Sequence, residues 1–155
     1  MISDEWLTPP EIINALGAFD LDPCSPVSRP WPTAAEHFTI LDDGLKKPWH
    51  GRVWCNPPYG AEAAKWLARC ADHGRATALI FARTETKMFF EHVWKKASGL
   101  LFIEGRLHFH RVDGSRAIAN AGAPSVLVAY GKADAVRLLS SGIPGKFVRL
   151  THGPA

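Results

Sequence analysis

Ala76-Thr-Ala-Leu-Ile-Phe-Ala82 constrains this chain more than any other stretch. It is nearly all apolar and is bounded by Gly74-Arg75 before and Arg83-Thr84 after. Such a run marks a strand covered on both faces, which requires helices above and below a sheet. The flanks supply them. Residues 61–73 have helical composition and close at Gly74, and residues 85–97 carry Phe89, Val93 and Trp94 on one helical side. Thr8-Pro9-Pro10-Glu11 fits a capping box ahead of a short helix that runs to Leu16 and stops at Gly17. Further strands are expected at 18–21, 37–41, 51–55, 100–103, 107–112 and 125–130, the last two flanking a polar loop. The alternation predicts an α/β fold with helices on both faces of the sheet and an antiparallel hairpin toward the C-terminus.

With 155 residues, 46% of them hydrophobic and 21% charged, the chain is expected to form one domain over 1–155 and not to be disordered. No apolar run approaches a membrane span, and the N-terminus lacks a basic region followed by an apolar one, so a soluble, cytoplasmic protein without membrane contact is expected. Cys24, Cys55 and Cys70 are too widely spaced for a disulfide framework or metal knuckles and are read as reduced. The histidines never join a cysteine or acid at zinc-site spacing, so no metal is expected.

The net charge of +3 is unevenly distributed. The first 48 residues hold eight acidic and three basic side chains, which leaves +8 on the remainder. A basic stretch is often only a solvated face. Here the split suggests an acidic third for a cationic or hydroxyl-rich ligand and a basic two-thirds facing a polyanion such as nucleic acid.

In an open α/β sheet, ligands bind beyond the carboxyl ends of the strands. Asp22-Pro23, Asp42-Asp43 and Asn56-Pro57-Pro58-Tyr59 each follow an expected strand. Asp42 lies twenty residues past Asp22, close to the interval at which nucleoside-binding folds place an acid for ribose hydroxyls. An Asp-Asp-Gly turn is the plainer reading of Asp42 and Asp43. No glycine follows Asp22 before Gly44, so a phosphate cradle is improbable and a nucleoside without phosphate is favoured.

Pro57 and Pro58 forbid helix, hold Asn56 extended, and leave carbonyls that no ring nitrogen can pair. The Asn56 oxygen and a carbonyl of this turn can accept both hydrogens of an exocyclic amine, while Tyr59 stacks on the base that carries it. Acceptors so placed stabilise positive charge growing on nitrogen, the mirror image of an oxyanion hole. A sulfonium methyl group would be a suitable electrophile.

Together, Glu5-Trp6-Leu7-Thr8-Pro9-Pro10-Glu11, Phe19-Asp20-Leu21-Asp22-Pro23-Cys24, Asp42-Asp43-Gly44-Leu45 with Pro48-Trp49, and Trp54 to Gly60 resemble the phage-type DNA N6-adenine methyltransferases. The likeness continues through Ala82 to Thr86, Gly105 to Phe109 and Ala123 to Ser125. It implies an S-adenosylmethionine-dependent enzyme with a Rossmann-like methyltransferase sheet, acting on a flipped-out adenine in DNA and, if phage-encoded, in a bacterial host's cytoplasm. By the same resemblance, Asn56, Pro57, Pro58 and Tyr59 are catalytic. Trp6, Thr8, Pro9, Asp20, Asp22, Pro23, Asp42 and Asp43 are assigned to the cofactor, with Trp49 a further possible wall. The usual glycine-rich loop is absent and 33 residues separate Asp22 from Asn56, so the sheet is expected to be compact, with an abridged cofactor half. Arg83, Lys87, Arg106, Arg111 and Arg116 are the candidates for DNA phosphates, with Arg116 and Asn120 also candidates for base contacts. An Asn-Pro-Pro-Tyr turn would equally suit an RNA base or a glutamine amide as acceptor, and an inactive DNA-binding remnant is the rival of another class.

Overall fold

The computed structural model describes residues 7–111, 113–117 and 122–152. They form a seven-stranded sheet in the order β2-β1-β3-β4-β6-β5-β7. The strands are β1 (Leu21–Asp22), β2 (Glu36–His37), β3 (Val53–Cys55), β4 (Ala76–Phe81), β5 (Gly99–Ile103), β6 (Ser125–Tyr130) and β7 (Gly145–Arg149). The helices are α1 (Pro10–Leu16), α2 (Glu62–His73), α3 (Lys87–Phe89, continued as a π-helical turn over Phe90–Trp94) and α4 (Lys132–Leu139). The strands β2, β1, β3 and β4 are parallel, and β6 then runs antiparallel between β4 and β5, with β7 antiparallel on the outer side of β5.

The pleat of β4 sets the two layers. Ala76, Ala78 and Ile80 face α2 and α3 and pack with Leu67, Cys70, Phe89 and Val93. Leu79 faces the other way, into a layer with Ile12, Ile13 and Leu16 of α1 and Leu138 of α4. Helices therefore cover both faces of an α/β sheet, as the apolar run requires. The two layers are tied at the amino edge of the sheet. There Arg52 Nε donates to Asp134 Oδ1 at 2.9 Å, Arg52 Nη1 donates to the Leu16 carbonyl at 2.6 Å, and Thr77 Oγ1 donates to Asp134 at 3.0 Å.

Several expectations shift for identifiable reasons. Thr8 does not cap α1; Pro9 precedes the helix with no side-chain cap, and the Thr8 hydroxyl is used elsewhere. The strand expected at 37–41 is only Glu36–His37, because the Asp42 carboxylate accepts the Thr39 amide at 2.9 Å and folds 39–42 into a turn. Residues 107–111 make isolated bridges only, from His110 to Leu7 and to Arg116, while Val112 lies outside the described residues. The antiparallel partners at the C-terminal end are β5, β6 and β7; α4 and β7 went unanticipated in the sequence.

Candidate functional site

The chain leaves β1 for β2 on one side and returns to β3 on the other, so the carboxyl ends of β1 and β3 flank a topological switch point. A cavity of about 510 Å³ opens there. Asp22, Pro23 and Cys24 line it from β1, and Asn56, Pro57, Pro58 and Tyr59 from the turn after β3. Thr8, Asp43, Glu62, Trp54 and Trp66 complete much of the wall. Its lining contains three carboxylates, those of Asp22, Asp43 and Glu62, and no lysine, arginine or histidine among the described residues.

Asp22 is 3% exposed at the end of β1. Its carboxylate accepts the Thr33 hydroxyl and the Cys24 amide, the latter at 3.1 Å. Burial pushes its pKa up to about 6, against the opposing pull of those two bonds and of Arg29. Thr33 is fixed in turn by its amide, which donates to His37 Nε2 at 3.2 Å. That bond requires an unprotonated nitrogen; burial and then Arg29 depress the His37 pKa to about 4. A loop of prolines and hydroxyls thus stands where a glycine-rich phosphate loop would be.

Asn56 follows the last residue of β3, and its Nδ2 donates to Thr8 Oγ1 at 3.4 Å. This contact ties the catalytic candidate to Thr8, two residues ahead of α1. Tyr59 stacks on Phe81, with ring centroids 4.5 Å apart and planes 8° from parallel. Burial holds its hydroxyl pKa up at about 12, so the phenol stays neutral at physiological pH.

The model of the family described as DNA N-6-adenine-methyltransferase (Dam) matches residues 1–141. The chain belongs to that family. No curated protein and no solved structure matches it. Membership gives the class of reaction, methylation of adenine N6 in DNA, and selects among the acceptors that an Asn-Pro-Pro-Tyr turn would suit.

Against this family background, the cavity gathers Thr8, Asp22, Pro23, Asp43 and Asn56 to Tyr59 from the residues singled out in the sequence. It does not gather all of them. Asp20 lies just before β1, exposed, where its carboxylate accepts the Arg52 amide at 2.7 Å. Pro9 serves as the residue before α1, Asp42 closes the 39–42 turn, and Trp49 stands behind Trp66 in a stacked pair 6.4 Å apart. Trp6 and Asn120 lie outside the described residues.

Two of the cationic candidates stand at the carboxyl ends of strands. Arg83 follows β4 and Arg106 follows β5, which runs parallel to β4 through their common partner β6. Arg111 and Arg116 flank a tight turn in which the Arg111 amide donates to the Ser115 carbonyl at 2.8 Å. All four are exposed, as is Lys87, which pairs with Glu91 at 3.7 Å.

Sequence reasoning missed Ser25, Thr33, Thr39, Glu62, Trp54 and Trp66. Glu62 had a signal, since it opens the helix directly after the Asn-Pro-Pro-Tyr turn. Thr33 had none: it sits in an irregular loop, and only folding brings its hydroxyl to Asp22. Among the described residues no group of three or more His, Cys, Asp or Glu could hold a metal ion, and no helix is long and apolar enough to cross a membrane.

Proposed function

We propose that this cavity binds S-adenosylmethionine and that Asn56 to Tyr59 methylate the N6 of an adenine flipped out of duplex DNA. The observation that carries this reading is the lining, in which three carboxylates and no basic side chain open onto the Asn-Pro-Pro-Tyr turn. A phosphorylated ligand would meet only like charge there, whereas a ligand bearing a sulfonium, an ammonium and ribose hydroxyls is complemented. The cavity volume of about 510 Å³ suits a nucleoside-sized ligand, and Leu7, Ile40, Trp54 and Trp66 offer it apolar wall. When bound, S-adenosylmethionine supplies an electrophilic methyl group on sulfur.

The residues of the chain supply everything else. Asn56 Oδ1 and a backbone carbonyl of Pro57 or Pro58 accept the two hydrogens of the target amine. They stabilise the positive charge that grows on nitrogen as it is alkylated, and the surplus proton then passes to solvent. Thr8 fixes the Asn56 amide by taking its Nδ2. The Tyr59 ring stacks on the flipped base, an interaction worth about 1 to 3 kcal/mol. Arg83, Arg106, Arg111 and Arg116 meet phosphates. The described chain adds no large element that would enter a groove, so a short or relaxed recognition site is expected.

Calorimetric titration with S-adenosylmethionine, followed by mass spectrometry of nucleosides from methylated duplex DNA, tests the reading. Saturable binding and N6-methyladenine are expected. Absence of either would remove the cofactor or the acceptor from the proposal.

A further inference from the structure

Tyr59 stands on a loop between Pro58 and Gly60, and a loop side chain makes a poor platform unless something holds it. Phe81 holds it. Their centroid separation of 4.5 Å and interplanar angle of 8° make this the closest and flattest ring pair among the described residues.

The support beneath is rigid. Phe81 ends β4 in register with Ser125 of β6, and its carbonyl accepts the Arg83 amide at 2.9 Å. The next amide, that of Ala82, donates to the Pro124 carbonyl at 2.9 Å. The Arg83 guanidinium lies 5.8 Å from the Phe81 ring centre, adding a cation–π contact to the same ring. Tyr59 is still 45% exposed, on the surfaces that Phe81 does not cover. A planar group joining this pair face to face takes its plane from Tyr59, and Tyr59 takes its plane from β4.

We propose that Phe81 is a positioning residue for methyl transfer: it fixes the plane of Tyr59 and so the plane in which an amino-bearing base is held against Asn56. This rests on the function proposed above. Phe81 touches neither cofactor nor acceptor in this role and acts only through Tyr59. Neither the family match nor any sequence motif singles it out.

The test uses Phe81→Leu, which keeps an apolar side chain and removes the flat ring, and Phe81→Tyr, which restores the ring. Single-turnover transfer of labelled methyl from S-adenosylmethionine to mixed-sequence duplex DNA is measured for both, with cofactor affinity by calorimetry. Phe81→Leu is expected to slow transfer about tenfold, the scale of one aromatic pair, with cofactor affinity within about twofold of the wild type. Phe81→Tyr should recover the rate, and adding Phe81→Leu to Tyr59→Ala should cost little more than Tyr59→Ala alone. Because the chain has only two tyrosines, tyrosine-labelled NMR reads the stack directly, and Phe81→Leu should shift the Tyr59 ring signals but not those of Tyr130. Full activity in Phe81→Leu, or a loss additive with that of Tyr59→Ala, would sink this inference alone. No methylation of adenine by the wild type would overturn the proposed function and this inference with it.

Discussion

Replacing Asp22 by Asn should make the protein more stable and a poorer binder at the same time. The carboxylate is buried, and its pKa rises from 3.8 to about 6 chiefly through loss of water. The folded protein therefore keeps this proton up to about pH 6, while the unfolded chain releases it near 3.8. Between those values the folded state binds more protons, so the contribution of Asp22 to stability is present below pH 4 and is lost as the pH rises through 6. The shift corresponds to ~3 kcal/mol. Asn removes the charge and keeps the shape: Oδ1 can accept the Cys24 amide, and Nδ2 can donate to a Thr33 hydroxyl that turns round. At pH 8 Asp22→Asn should gain about 1 to 3 kcal/mol, read by denaturant unfolding, and at pH 4 it should gain almost nothing. Cofactor binding should behave in the opposite sense. If the ionised carboxylate meets S-adenosylmethionine, only about a tenth of the protein is competent at pH 5, and affinity there should be about tenfold weaker than at pH 8. Asp22→Asn should bind weakly at both. A variant no more stable than the wild type at pH 8, or a wild-type affinity flat from pH 5 to 8, would refute the reasoning.

Asn56→Ala is expected to cost about a hundredfold to a thousandfold in turnover while cofactor affinity is unchanged, because the lost acceptor acts on the amine; steady-state and binding assays separate the two. Arg52→Ala should cost about 3 to 5 kcal/mol of unfolding free energy, since it strands the buried Asp134 carboxylate. Arg52→Met combined with Asp134→Leu should cost less than either single change in a denaturant melt. Arg111→Ala and Arg116→Ala should each reduce the slope of log affinity against log salt by about one on duplex DNA of any sequence. An unchanged slope would show that their turn is only a solvated surface.

The sheet and its helical cover were legible because they rest on patterns local to the chain. The apolar run at 76–82, the helix closing at Gly74 and the strand before Asn56 each carry their own period and stop signal. Two kinds of feature escaped. The strand β7 has exposed Lys146 and Arg149 at an edge and lacks the buried alternation that announces a strand. Thr33 and Phe81 meet partners 11 and 22 positions away, Asp22 and Tyr59 respectively, and Thr8, itself singled out by its motif, meets Asn56 48 positions away. Nothing in their own neighbourhoods encodes those contacts. Asp20 and Asp22 illustrate the limit most simply: two residues apart on one segment, Asp20 precedes β1 and Asp22 ends it, and only Asp22 reaches the cavity.

The two margins of the sheet are unequally knit. Six residue pairs join β4 to β6 and five join β5 to β7, but only two join β1 to β2. In cooperative terms the margin that carries Asp22 should open at lower free energy than the interior strands, exposing its amides while the rest of the sheet stays closed. Part of its order has another source. Four prolines, at 23, 26, 30 and 32, punctuate the loop between β1 and β2, and each reduces the conformations available to the unfolded segment. This margin is thus stiffened by what its chain cannot do when released as well as by what it bonds to when folded. Opening and re-forming it should carry a smaller entropic penalty than in an ordinary loop of that length.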